Sequence, residues 1–388
     1  MDATVDASHG QFELNDDQRA IRDMAEGFAA ERVAPNALDW DKHKHFPADV
    51  IRETGPLGLG GIYVRDDVGG SALGRLDAVL VFEALARACP AFSAYISIHN
   101  MAASMIDRFG NEAQRQRFLP KLTSMEWLAG YCLTEPGSGS DAAALKTRAV
   151  RDGDDYVLDG AKQFISGAGA NDLYVVMART GEDGPKGISA IVVPKDAPGL
   201  SFGANESKMG WHMQPTRQVI FTGCRVPVAN RLSDEGAGFA IAMSGLDGGR
   251  LNIAACSLGG AQSALDKALA YAGDRKAFGQ AINRFQALQF RLADMETELQ
   301  ASRVLLYTAA SKLDRKAHDA SKWSAMAKRF VTDAGFRIAN DALQLFGGYG
   351  YLHDYGVEKL VRDLRVHQIL EGTNEIMRVI IARHLIGR

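Results

Sequence analysis

The sequence predicts an α+β multidomain fold: an N-terminal α-helical domain over residues 1–122, a middle β-barrel or sheet domain over 123–235, and a C-terminal four-helix bundle over 236–388. At 388 residues the chain exceeds what one core holds, since domains cluster near roughly 150 residues. Apolar residues recur at helical spacing in the first third and again, in long stretches, after Arg250. Between them lie short β-branched and aromatic runs punctuated by Gly, Pro and Asp, the texture of a compact sheet.

Asn15 or Asp16 caps a first helix, in which Ile21, Met24, Ala25, Phe28 and Val33 share one face until Pro35 stops it. Helices follow at 76–87, 95–109 and 113–122. Strands are expected at 153–160, 172–179, 188–193 and 218–221, each bounded by turn residues. Four long helical stretches then occupy about 253–275, 286–314, 320–346 and 354–386, enough to bury one another as a bundle. No repeat of fixed period interrupts this order.

Composition excludes several classes. Apolar residues at 46% and charged residues at 23% fit a globular chain, not a disordered one. A net charge of −3 offers no global basic field, so nucleic acid is not an expected partner. Cys89, Cys132, Cys224 and Cys256 lie far apart, which indicates neither a disulfide framework nor a zinc site and fits a reducing compartment. His43 and His45 have no second ligand at metal spacing, so no metal is expected. No stretch is long and apolar enough to span a bilayer. The first ten residues are acidic and polar, without the features of a secretory or transit signal. The expected location is the cytoplasm of a bacterium; a mitochondrial-matrix enzyme without its leader would read the same way.

Gly137-Ser138-Gly139-Ser140-Asp141-Ala142 matches the glycine pattern of a dinucleotide fold. Its context argues against that fold, because Thr134-Glu135-Pro136 precedes it and strand-rich sequence follows where a crossover helix is needed. The loop still suits phosphate, with small residues exposing backbone N–H groups and Ser138 and Ser140 adding hydroxyls.

Tyr131 through Asp141 resembles the flavin-binding signature of the acyl-CoA dehydrogenases, and the α, β, α order resembles that family's fold. Phe164-Ile165-Ser166, Arg275 through Gly279, Gln344 through Gly350 and Gln368 through Glu375 stand where the family pattern expects them, so the resemblance spans essentially the whole chain. It implies FAD as cofactor and an acyl-CoA as substrate. Tyr131, Cys132, Leu133 and Thr134 would line the isoalloxazine, with Gly139 in the same loop and Ser140 between flavin and substrate. Phe164, Ile165 and Ser166 would form an aromatic wall and a hydroxyl beside the flavin; many members carry Trp and Thr at the first and last of these positions. Arg275, Phe278, Phe285 and Gln286, with Gln344, Leu345, Phe346, Gly347 and Gly348, would reach the FAD of a neighbouring subunit, which implies a homo-oligomer, in this family usually a tetramer. Thr373, Asn374 and Glu375 would hold the adenosine end, and Asp247, Arg250 and Arg383 the acyl-CoA.

The resemblance makes Glu371 the catalytic base, removing a proton from Cα of the thioester while hydride leaves Cβ. Read alone, Glu371 is a solvated glutamate favoured by the dipole of the last helix. Its apolar neighbours Ile369 and Leu370 are compatible with a dry pocket that would strengthen the base. Glu375 and Asp247 are the rival carboxylates. Some relatives carry the base in the segment matching 245–250, where Asp247 is the one acid of this chain. Arg250 and Arg383 have the alternative of pairing with nearby carboxylates.

The stretches 94–101, 185–189, 214–217 and 226–231 resemble the branch of the family that oxidises isobutyryl-CoA to methacrylyl-CoA in valine breakdown and passes electrons to electron-transfer flavoprotein. Tyr95, Ile98 and Met101 would shape a short acyl pocket, although an aromatic and aliphatic helix face is more often plain core. A dehydrogenase of the same family acting on 2-methylbutyryl- or butyryl-CoA, a flavin-free acyl-CoA-binding scaffold and an acyl-CoA oxidase are the competing readings.

Overall fold

The computed structural model describes residues 14–387; the first ten residues, read above for targeting signals, lie outside that range. The N-terminal layer holds α1 (Asp16–Phe28), α2 (Ala37–His43), α3 (Ala48–Arg52), α4 (Arg75–Ala88), α5 (Pro90–Phe109) and α6 (Glu112–Thr123). Asn15 is the cap: its Oδ1 accepts from the Gln18 N–H at 2.8 Å, and Gln18 Oε1 accepts from the Asn15 N–H at 3.2 Å. The apolar face expected to reach Val33 does so through a π turn, Ala29–Val33.

The middle layer holds β1 (Ala129–Cys132), β2 (Arg148–Asp152), β3 (Asp155–Ser166), β4 (Leu173–Arg179), β5 (Ile188–Pro194), β6 (Leu200–Phe202), β7 (Thr216–Pro227) and β8 (Arg231–Leu232). The sheet order is β6-β7-β3-β2-β4-β5-β8, with β1 parallel to β4. Tyr174 on β4 meets Phe202 on β6 at 5.6 Å between ring centroids. Those strands are separated by three others, so the sheet must curl over its own interior. β4 is buried on both faces: Val175 and Met177 pack beneath α5 and α7, while Tyr174 and Val176 fill the curled interior. That is why its sequence is a continuous apolar run rather than an alternating one. The glycine loop leads into a 3-10 turn and β2 instead of a crossover helix.

The C-terminal layer holds α7 (Gly238–Asp274), a small hairpin of β9 (Lys276–Ala277) and β10 (Gln280–Ala281), α8 (Gln286–Asp314), α9 (Ala320–Phe346), α10 (Val357–Arg365) and α11 (Asn374–Ile386). Two expectations are corrected. The helix expected from 253 starts at Gly238, its first turns masked in the sequence by the glycines around Asp247. The single helix expected over 354–386 is two helices, both packed on α9, with a break at 369–373. Glu371 (φ 56°) and Gly372 (φ 88°) are left-handed there, and a right-handed helix cannot pass through two such residues. The Thr373 hydroxyl then caps α11, accepting from the Ile376 N–H at 3.3 Å. Among the described residues no helix is long and apolar enough to cross a membrane.

Candidate active site

The break between α10 and α11 carries Glu371 back against the middle of α7. The carboxylate lies beside Gly249, where an added Cβ would meet Oε2 at 2.5 Å and Cδ at 2.9 Å. Oε2 is buried and has no hydrogen-bond partner among the described residues. Burial raises the carboxyl to about 7, against the opposing pull of the Arg250 guanidinium and the Lys328 ammonium. The solvated reading of Glu371 is therefore wrong for this fold. A left-handed non-glycine residue costs about 1–3 kcal/mol and persists only where its surroundings over-determine it.

Those surroundings are anchored on both sides. Upstream, the imidazole Nδ1 of His367 lies 2.6 Å from the Ser257 hydroxyl of α7, and its ring meets Trp211 edge-on at 5.4 Å. Downstream, Lys328 on α9 is fully buried, and its Nζ donates to the Gly372 carbonyl at 2.7 Å and to Asn374 Oδ1 at 2.9 Å. Asn374 also donates to Asp333 Oδ1 at 2.7 Å and Thr332 Oγ1 at 3.0 Å. Its side chain is thus bonded inside the protein, so a contact with adenosine at this position would fall to the backbone. Glu375 is exposed and pairs with Arg378 at 3.3 Å, so it is no substitute for the buried carboxylate.

β1 brings Tyr131 to the same place. Its hydroxyl is buried without a partner among the described residues and is pushed well above the usual range by burial and by the charge of Glu371. Strand alternation turns Cys132 the other way, into the curled interior, and Leu133 packs under α5. The loop beyond is stapled from beneath by a buried pair that sequence reading missed. Glu135 Oε1 accepts from Lys162 Nζ at 2.8 Å, and its two oxygens also accept the Lys146 and Thr147 N–H groups at 2.6 and 2.9 Å. Lys162 Nζ further donates to the Leu133 carbonyl at 3.1 Å. Above the staple, Gly139 and Ser140 are exposed, and a Cβ at Gly137 or Gly139 would meet nothing within 4 Å. Ser138 is not free for a ligand as expected, because its hydroxyl donates to the Asp141 carbonyl at 2.6 Å.

A register shift in β3 between Lys162 and Ile165 aims the next wall residue outward. Phe164 has φ 61° and is 64% exposed, whereas Ile165 is buried in the sheet interior. Ser166 offers its carbonyl to Asn171, whose Oδ1 in turn accepts from the Tyr95 hydroxyl at 2.5 Å. Tyr95 and Met101 are plain core, and Ile98 alone of that trio is only partly buried.

On α7, Arg250 and Asp247 pair at 2.5 Å, and Asp247 also accepts from the Ser321 hydroxyl at 3.0 Å. The alternative of pairing therefore holds for Arg250. Arg383 is exposed near the far end of α11, about 13 Å along its axis from Asn374, and does not join Glu371 within one chain. A second patch gathers the remaining predicted residues. Arg275, Gln344, Leu345, Phe346, Gly347 and Gly348 line a cavity of about 470 Å³ at the end of α7. Phe278 tips the neighbouring hairpin, 95% exposed, with Phe285 edge-on at 6.1 Å and Gln286 exposed beside it. Leu345 and Phe346 are buried, and Phe346 stacks at 4.2 Å on Tyr271, which lines the same cavity. Among the described residues, Asp41, His353 and Glu358 cluster at metal-like proximity, and Arg362 already pairs with both carboxylates, at 2.7 Å to Asp41 and 2.9 Å to Glu358.

Comparison with known proteins meets this geometry along the whole chain. The acyl-CoA dehydrogenase N-terminal, middle and C-terminal domain models match residues 15–126, 130–224 and 236–386. The mitochondrial isobutyryl-CoA dehydrogenase of Dictyostelium discoideum is 57% identical, over 96% of this chain and 90% of that protein; the one from Bos taurus is 54% identical, over 98% and 91%. The butyryl-CoA dehydrogenase structure from Megasphaera elsdenii superposes with a TM-score of 0.94 at 36% identity, covering 97% of this chain and 100% of that one. Three family domains matched in order and relatives above 50% identity over nearly the full length settle the family, and this chain is an oxidoreductase belonging to the acyl-CoA dehydrogenases.

Proposed function

We propose that the protein is an FAD-dependent dehydrogenase converting isobutyryl-CoA to methacrylyl-CoA in valine breakdown, with electrons passed to electron-transfer flavoprotein. The observation that carries this reading is the buried Oε2 of Glu371, without a hydrogen-bond partner among the described residues, on a carboxyl that burial raises to about 7. A carboxylate in that state is a stronger base than a solvated one. Glu371 takes the proton from Cα of the thioester. Its backbone N–H has no acceptor within the chain among the described residues, which suits it to hold the thioester oxygen as charge develops there.

The residues present fit the cofactor. Phe164 stands out of the sheet as an aromatic wall, and the N–H groups of the exposed Gly137 and Gly139 make no backbone hydrogen bond among the described residues, which suits them to a pyrophosphate. When bound, FAD supplies the hydride acceptor opposite the base. Tyr131 and the Leu133–Thr134 backbone line that side, held by the Glu135 and Lys162 pair. Arg275 lies about 39 Å along α7 from Gly249, too far to serve the same cleft. That separation and the exposure of Phe278 support a homo-oligomer, a tetramer on the family pattern, in which the second patch completes a neighbour's cofactor site.

The names of the two mitochondrial relatives support isobutyryl-CoA over other thioesters. A methylene more or less in an apolar pocket is worth about 1–3 kcal/mol, so 2-methylbutyryl-CoA should react more slowly rather than not at all. The test is anaerobic bleaching of the yellow holoenzyme by a panel of straight and branched acyl-CoAs. Isobutyryl-CoA should be fastest. A colourless protein unable to take up FAD, or a panel led by a straight chain, would overturn the reading.

A further inference from the structure

We propose that Lys328 is the positioning residue of the base: from α9 its ammonium grips the Gly372 carbonyl and the Asn374 side chain and so fixes the turn that aims Glu371 at Gly249. This rests on the reading of Glu371 as the base. Lys328 is fully buried and makes no direct ion pair among the described residues. A buried ammonium is costly, and an apolar side chain of equal length would fill the same volume without that cost. Its hydrogen bonds state its task. At 2.7 Å it holds the carbonyl immediately after Glu371, and at 2.9 Å the first residue of α11, closing the left-handed pair of residues from below.

The charge has a second effect. The groups facing Lys328 are Glu371 from the turn, Asp333 on its own helix, Glu375 on α11 and Arg250 on α7, with His367 from the turn after α10. Burial pulls the ammonium down to about 7, and its attraction for Glu371 opposes the rise of that carboxyl. Arg250 acts on Glu371 in the same sense and is already paired with Asp247. Without Lys328 the turn would relax and the carboxyl would hold its proton to higher pH.

The experiment uses flavin-replete holoenzymes of Lys328→Met, Lys328→Arg and Glu371→Gln, compared by anaerobic reduction with isobutyryl-CoA across pH. Lys328→Met should lower kcat by about tenfold or more, because misplacement of a reacting group by an ångström is that costly. KM should stay within about twofold of wild type, as expected when ground-state binding is untouched. Its acid limb should move to higher pH, and the infrared carboxyl band that Glu371→Gln removes should titrate with it. Lys328→Arg should restore the limb and part of the rate. A Lys328→Met enzyme with wild-type rate per flavin and an unmoved limb overturns the proposal, as does a loss explained wholly by lost flavin. Should Lys328→Met fail to fold, Lys328→Gln carries the same readouts with a neutral donor. Rapid reduction by Glu371→Gln would sink the base itself; an inactive Glu371→Gln beside an unchanged Lys328→Met sinks only this inference.

Discussion

The carboxylate of Glu371 rests against Gly249: a side-chain carbon on that glycine would stand 2.5 Å from Oε2 and 2.9 Å from Cδ. The carboxylate can approach the helix this closely because Gly249 has no side chain.

Gly249→Ala is therefore expected to displace the carboxylate rather than the helix, since the atoms it meets are the end of a flexible side chain. Folding stability should stay within about 1 kcal/mol, because the helix gains propensity as the carboxylate gives way. Flavin reduction by isobutyryl-CoA should slow by about tenfold or more. Stopped-flow rates and thermal melts on one preparation check both halves.

The pH dependence has a definite sign. Glu371 must be ionised to act and its carboxyl is raised to about 7, so kcat/KM should fall as pH drops through about 7. The same shift bears on stability. A folded-state value above the unfolded one gives stability that is present below about 4.5 and lost as pH rises through about 7. Glu371→Gln cannot ionise, so it should be more stable than wild type above that range, by about 1–3 kcal/mol, and nearly equal to it below about pH 4.5. Melting curves at several pH values decide.

Removing one partner of a buried pair leaves the other uncompensated, at about 3–5 kcal/mol. Lys162→Met should therefore destabilise the middle sheet by that order, stranding Glu135 under the glycine loop. Denaturant titration measures the loss, and FAD should dissociate more readily as the loop from Leu133 onward loosens.

Phe278→Asp leaves the fold of one chain untouched, because the side chain is almost wholly exposed. It should nevertheless weaken assembly and FAD retention together if the hairpin seats on a neighbouring copy. Sedimentation velocity with flavin absorbance follows both in one run. Unchanged mass and unchanged flavin would remove the hairpin from the interface.

Much of this was legible in the sequence. The α, β, α order follows from periodicity, and Asn15, β4 and β5 stand where local signals put them. What escaped notice shares a physical cause: it depends on contacts between segments far apart in the chain. Lys328 sits among helical residues where a lysine ordinarily faces water, and nothing local marks it as the clamp of a turn more than forty residues on. Glu135 and Lys162 read as surface charges on a loop and a strand until β3 folds back over β1. The break at 369–373 was hidden because helical periodicity on both sides bridges it, while the left-handed pair that makes it has no apolar signature. The motif gives no sign that the Asn374 side chain also ties the turn to α9 through Lys328 and Asp333.

Single-turnover anaerobic reduction by isobutyryl-CoA, comparing wild type with Glu371→Gln at matched flavin content, tests the central claim most directly. General acid–base catalysis contributes about 10²–10⁴-fold, so the variant should bind the thioester but reduce its flavin slower by at least that order. A Glu371→Gln enzyme that bleaches at the wild-type rate would contradict the account.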